Sequence, residues 1–226
     1  MDTRNETDVS ETNKSGQALG RKGSDTRQRL LASARALLGR GAKLTAAAIS
    51  RKAGVSPPTF YLYFENIPDI QLCLSDEAGE DMGEILDILD LPWSPTMVSV
   101  RSEQLVRAFY DHWDRNRPIL STRNHQSDLG DPDFDQSRRR AAMPVINALS
   151  QRIRDAHGAE RVSDRDALAR SIIVYAAMER LAARGSARAL QPGDLNDEEL
   201  IRAEAHILSL LFQTAPDHKA VARLDI

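Results

Sequence analysis

Apolar residues recur every three to four positions over most of the chain, the spacing of amphipathic helices rather than the alternation of strands. The first such segment opens at Ser24 and Asp25, both good cap residues, and carries Leu30, Ala34, Leu37 and Leu38 before it stops at Gly39 and Gly41. Thr45 is placed to cap a second, short helix ending near Ala53, with Gly54 suited to a left-handed C-terminal turn. Ser56 would cap a third, with Pro57 in the first turn, where a proline is tolerated. Asn66 would cap a fourth, with Pro68 early in it and a stripe of Ile70, Leu74, Met82, Ile85, Leu86 and Leu89. Pro92 and Pro95 around Trp93 make the clearest internal break. Beyond it the pattern predicts helices at about 99–116, 118–125, 137–157, 164–185 and 197–213, with a Gly/Pro/Asp-rich loop over 125–135. Ser163 with Asp166, and Asn196 with Glu199, have the spacing of capping boxes. Residues 97–100 give the one hint of strand alternation, and no repeat of about 20–50 residues is visible. The predicted class is all-α.

The same pattern divides the chain into a polar, disordered tail (1–23), a three-helix head (24–68), a longer helical body (69–214) and a C-terminal tail (215–226). The chain has 226 residues, 41% hydrophobic and 28% charged, enough to build a core. No window approaches the roughly 20 apolar residues of a membrane span, and the polar N-terminus has no apolar export segment. Cys73 is the sole cysteine, which excludes an intrachain disulfide and a cysteine-based zinc cluster. A reducing cytoplasm is the expected location.

Net charge is −3, but it is unevenly spread. Residues 1–20 carry −2, residues 21–65 carry +7 from nine basic and two acidic groups, and residues 66–226 carry −8. A compact basic block on an acidic body is the footprint of a nucleic-acid-binding module joined to something that does another job. An ordinary solvated helix face is the plainer alternative.

The two short helices flanking Gly54-Val55-Ser56 form a helix-turn-helix candidate. Leu44, Ile49, Ala53 and Val55 can pack on the first helix, with Ala46, Ala47 and Ala48 permitting close approach. In the third helix Phe60 and Phe64 share one face, which must be the buried one. Pro58 and Leu62 then point away, flanked by Thr59 and Tyr61. The run Ala53-Gly54-Val55-Ser56-Pro57-Pro58-Thr59-Phe60-Tyr61-Leu62-Tyr63-Phe64 resembles the recognition segment of the TetR family of transcriptional regulators. There an amphipathic helix leads into an I-A-x-x-A-G-V-S turn and a T-x-Y-x-H/Y-F helix. The variant P-T-F-Y-x-Y-F is most similar to regulators of the EthR type. The motif covers residues 25–75, about a fifth of the chain; the remainder resembles the family in length and helical pattern.

That resemblance implies that Thr45, Ser56, Thr59, Tyr61 and Tyr63 bind DNA phosphates, and that Pro57, Pro58, Thr59 and Leu62 read bases through contacts such as the thymine methyl. The plainer role for Tyr61 and Tyr63 is core or dimer packing. One departure stands out. The family usually carries a lysine near the start of the fourth helix, in S-K-E-x-L; here Ile67 occupies that position, between Glu65 and Asp69. Arg21 and Lys22, placed in the tail, would compensate by entering the minor groove.

For the body, the resemblance implies a small-molecule effector pocket and a homodimer through the last two long helices. The dimer stripes are Ile172, Ala176, Ala183 and Leu200, Ile207, Leu208, Leu211, for which intramolecular core is the equal alternative. Phe109, Trp113, Tyr175 and Met178 are the pocket candidates for a largely apolar effector, with core packing the plainer reading of each.

Enzyme chemistry is not expected. There is neither G-x-x-x-x-G-K-[ST] nor G-x-G-x-x-G. The histidines at 112, 125, 157, 206 and 218 offer no i, i+4 pair for a metal. Residues 131–135 mimic the opening of a calcium loop, but Gln136 and Ala142 stand where the sixth-position glycine and twelfth-position glutamate are required. No cofactor, metal, catalytic residue or membrane partner is expected. The reading is a TetR-type regulator, acting as a repressor released from a palindromic operator, or less simply as an activator. The alternative is a helical protein–protein interaction module whose basic head meets an acidic partner.

Overall fold

The computed structural model describes residues 19–158, 160–184 and 195–213. The expected tail over 215–226, and residues 1–18 of the other, lie outside the described residues. Within the described residues there are nine α-helices and no strand: α1 (Arg21–Leu38), α2 (Ala46–Ala53), α3 (Pro57–Tyr63), α4 (Ile67–Glu80), α5 (Gly83–Asp90), α6 (Val98–Asp128), α7 (Pro132–His157), α8 (Asp164–Arg184) and α9 (Asp197–Leu210). The all-α class read from the periodicity is correct. None of these helices is long and apolar enough to cross a membrane.

Five element boundaries differ from the sequence pattern. Helix α1 starts at Arg21 instead of Ser24, because the Gly20 carbonyl accepts the amides of Gly23 (2.7 Å) and Ser24 (3.0 Å). Arg21 and Lys22 are therefore helical residues. The long fourth helix is two helices, α4 and α5, parted at Asp81 and Met82, where the Asp81 carbonyl bonds the His112 ring at 3.1 Å. Gly79 and Gly83 flank the break and weaken helix there. Conversely, α6 runs unbroken through Pro118. The missing amide costs one backbone bond, but Asn116, Ile119 and Leu120 around it are buried, and packing decides. The 125–135 loop shrinks to 129–131, since Asp131 Oδ1 accepts the amides of Asp133 (3.0 Å) and Phe134 (3.4 Å) and starts α7 with Pro132 in first position. Residues 97–100 are helical from Val98 onward.

The chain forms two compact units. The first contains Met1–Ala78 and Pro118–Arg138; the second contains Gly79–Arg117 and Arg139–Ile226. In the first unit Leu30, Leu31, Ala34, Ile49, Phe60, Phe64, Ile70 and Leu74 are buried together with Phe134. In the second, the core draws on Ile85, Leu89, Leu105, Phe109, Trp113, Val145, Leu149, Ile153, Tyr175, Met178 and Leu208. Gly79 meets Ala141 so closely that a Cβ would lie 2.9 Å from the alanine methyl, so only glycine fits. Helix α9 opens with the full Asn196–Glu199 capping box, and the His157 ring bonds the Leu211 carbonyl at its other end (2.7 Å). At the start of α8 the Ser163 hydroxyl accepts the Asp166 amide.

Candidate nucleic-acid interface

The candidate interface is built from the turn between α2 and α3. Gly54 has φ +68°, and the chain closes there with Val55 N–H donating to Ser50 O (3.0 Å) and Gly54 N–H to Arg51 O (3.3 Å). This paired closure needs a left-handed residue. Nothing lies within 4 Å of where a Gly54 Cβ would be, so backbone conformation alone imposes the glycine. The turn directs Phe60 and Phe64 inward, both essentially fully buried, with ring centroids 5.6 Å apart. The opposite face carries Pro58, Tyr61 (47% exposed) and Leu62 (61% exposed). Tyr61 sets its ring edge-on to Phe60 at 5.2 Å, which fixes the tyrosine on a rigid base.

The expected phosphate donors are placed differently from one another. Thr45 is exposed, and its Oγ1 accepts the Ala48 amide at 3.1 Å; its hydroxyl hydrogen is left to donate outward. Ser56 was expected to cap α3 in the same way, and it does not. Pro57 and Pro58 fill the first two helical positions and have no N–H, while the Thr59 amide is taken by the Ser56 carbonyl. The Ser56 hydroxyl instead pairs with Thr59 Oγ1 at 2.8 Å. One hydroxyl hydrogen is used in that pair and the other remains to be donated, so the two act as one unit. Pro57 is exposed beside Pro58, Thr59 is half-buried, and Tyr63 is half-buried at the end of α3.

Two residues of the basic block have roles inside the unit that the charge pattern did not show. The Arg27 guanidinium stacks over the Phe64 ring at 5.4 Å and donates to Cys73 Sγ at 3.4 Å. Arg35 pairs with Glu77 at 2.8 Å. The other seven (Arg21, Lys22, Arg29, Arg40, Lys43, Arg51 and Lys52) are exposed. Burial pushes the Cys73 thiol up to about 11, outweighing the opposing charge of Arg27, so the thiolate is disfavoured.

Ile67 opens α4 behind a cap made by Asn66 and Asp69. Asn66 Oδ1 accepts the Asp69 amide (2.9 Å), and Asp69 returns a carboxylate oxygen to the Glu65 amide (2.8 Å). This reciprocal cap fills the helix N-terminus with a carboxylate of its own. That carboxylate opposes a second anion at the same helix end.

Residues 30–70 match the family model described as bacterial regulatory proteins, tetR family. The helix-turn-helix is similar to that of the TetR family. Solved structures similar to this chain include the fatty acid degradation regulator FadR from Bacillus halodurans, at 13% identity and TM-score 0.55 over 89% of this chain and all of that one. A TetR-like transcriptional regulator from Rhodococcus sp. RHA1 aligns at 20% identity and TM-score 0.51, covering 83% of this chain and 93% of its own. A TetR family transcription regulator from Marinobacter aquaeolei VT8 aligns at 18% and 0.53, covering 84% and 96%. At these identities the likeness is one of fold. No curated protein matches the chain.

In the second unit, the four pocket candidates are all buried. Phe109 and Tyr175 meet edge to face with centroids 5.5 Å apart, bringing α6 and α8 together. Trp113 and Met178 are buried on the same two helices. Two surface clefts of this unit are lined by other residues, one by Trp93, Val98 and Phe212, the other by Ile88, Leu91 and Arg107. Sequence reasoning missed Glu204, a buried carboxyl on α9 beside the Tyr110 hydroxyl of α6; burial pushes it up to about 7. Of the dimer stripe, Leu208 is 1% exposed and belongs to the core of its own unit, because it faces inward from α9. Its neighbours Ile207 and Leu210 are exposed, as are Ile172 and Ile173 on α8. Among the described residues no three His, Cys, Asp or Glu side chains are grouped to hold a metal ion.

Proposed function

We propose that the protein is a cytoplasmic, dimeric transcriptional repressor that leaves a palindromic operator when a largely apolar effector binds its helical body. Residues 24–68 would form the DNA-binding domain and 69–214 the effector-binding and dimerisation domain. The observation that carries the reading is the rigid, outward-facing α3 surface on a unit with seven exposed cations besides the ion-paired Arg35. Helix α3 enters the major groove, while α2 crosses the backbone. Thr45, the Ser56–Thr59 pair, Tyr61 and Tyr63 donate to phosphates; Pro57, Pro58, Thr59 and Leu62 meet the base edges.

Two copies are needed because half-sites repeat about every 34–36 Å along the duplex. The exposed Ile172, Ile173, Ala176 and Ala177 of α8, with Ile207 and Leu210 of α9, supply an apolar surface for that pairing. Phe109, Trp113, Tyr175 and Met178 would line the effector site, opened within the packed α6 and α8 side chains. Effector binding would change the separation of the two recognition helices and forfeit contacts at one half-site.

Selection from a random duplex pool tests the reading. An enriched inverted repeat with two half-sites about one helical turn apart is expected. An enriched site with no two-fold symmetry would contradict the dimeric arrangement, and no enrichment would contradict DNA binding itself.

A further inference from the structure

Sequence-specific readers of the major groove usually pair base edges with arginine or lysine on guanine, asparagine or glutamine on adenine, or a carboxylate on cytosine. From Ala53 to Phe64 the chain contains none of these, nor any histidine: its polar side chains are the hydroxyls of Ser56, Thr59, Tyr61 and Tyr63. Two of the four are tied to each other, Ser56 Oγ to Thr59 Oγ1 at 2.8 Å. What α3 offers outward is carbon: Pro57 and Pro58, which are rigid, and Leu62, which is 61% exposed. An exposed leucine on an isolated surface needs no explanation. Here it shares the outward face with Pro58 and Tyr61, on a helix whose other face is anchored by Phe60 and Phe64.

Within α3 itself there is therefore no bidentate hydrogen-bonding group for a base edge. The first such side chains lie past the end of the helix, the exposed carboxylate of Glu65 and the amide of Asn66, whose Oδ1 accepts the Asp69 amide. The base-edge feature that a carbon surface recognises in the major groove is the 5-methyl group of thymine.

We infer that this protein selects its operator chiefly through thymine methyl groups packed against Leu62 and Pro58, with the hydroxyls and surrounding cations serving the phosphates. This deepens the DNA-binding reading above and rests on it. The operator half-site would carry thymines at the positions facing Leu62, and the protein would be sensitive to removal of one carbon atom per base while every hydrogen-bonding edge stays intact.

The test uses the full chain and the duplex that it enriches from a random pool, prepared once with thymidine and once with deoxyuridine throughout. Wild-type protein is expected to bind the deoxyuridine duplex about tenfold more weakly, from the loss of a buried methyl in each half-site. Leu62→Ala, which touches an exposed position and leaves helicity and melting temperature unchanged, is expected to bind the thymidine duplex more weakly and to lose most of the discrimination between the two. Equal wild-type affinity for both duplexes would overturn the inference while leaving DNA binding intact. Discrimination that persists undiminished in Leu62→Ala would assign the methyl effect to duplex shape and also overturn it. Failure to enrich any duplex would remove the DNA-binding reading, and the inference with it.

Discussion

Arg27 of α1 lies over the ring of Phe64, 5.4 Å from its centroid, and its guanidinium also reaches the Cys73 sulfur. A cation in the middle of the basic block is thus held against the last aromatic of the recognition segment. It ties α1 to the end of α3 and to α4, and it is spent on geometry rather than on phosphate.

The consequence is measurable. Arg27→Ala should lower stability by about 1 kcal/mol through lost stacking and stem packing. Because Arg27 is engaged within the unit, the slope of log affinity for DNA against log salt should stay as in wild type. Arg51→Ala, at an exposed position, should do the reverse: stability unchanged and a shallower salt slope. Melting curves and titrations at several salt concentrations separate the two.

Phe60 and Leu62 are two residues apart with opposite fates, 0% and 61% exposed. Phe60→Ala should cost about 3–5 kcal/mol and melt the DNA-binding unit. Leu62→Ala should leave the melting temperature within a degree or two of wild type and weaken DNA binding. Thermal unfolding beside a binding titration reads both.

Gly54 supplies a backbone conformation and contacts nothing through a side chain. Gly54→Ala should destabilise by about 1 kcal/mol from the left-handed backbone alone, and Gly54→Asn, which tolerates that conformation better, should recover part of the loss. Chemical denaturation of the three proteins gives the order.

Glu204 makes the stability of the body depend on pH. Its carboxyl is pushed up from an ordinary 4.5 to about 7 by burial next to Tyr110, so the folded state favours the protonated form. Below about 4.5 both states bind the proton and the group is neutral in effect. As pH rises from there through about 7, the folded state must ionise a buried group, and stability falls. Glu204→Gln should remove this loss: its melting temperature should exceed that of wild type at pH 8 by several degrees, with the difference vanishing at pH 4.5.

Much of this architecture was legible in the sequence, and the exceptions have physical causes. The buried pair Phe60 and Phe64, the Gly54 turn and the Thr45 cap follow from periodicity and backbone preference, which act locally. The Asn196–Glu199 box did too. Pro118 misled because a proline weighs on local propensity, while burial of its neighbours decides whether the helix survives it. Ser56 is a cap by residue type, but Pro57 and Pro58 remove the amides that it would accept. The start of α7 was readable in Asp131-Pro132, a cap followed by a first-position proline, but the surrounding Gly and Asp suggested a loop. Arg27 and Glu204 were invisible because each depends on a residue far away in sequence, Phe64 and Tyr110 respectively. For the effector site, burial of Phe109, Trp113, Tyr175 and Met178 is what core packing and an apolar pocket both require, so neither periodicity nor burial distinguishes them.

The most direct test is a fluorescence-anisotropy titration of the protein against the DNA upstream of its own gene and a scrambled duplex of equal length, at about 50 and 200 mM salt. The account predicts tight binding that prefers the native fragment and weakens by orders of magnitude at the higher salt, as several phosphate contacts require. Binding to neither duplex at the lower salt would contradict it, and would turn the basic head into a surface for an acidic protein partner.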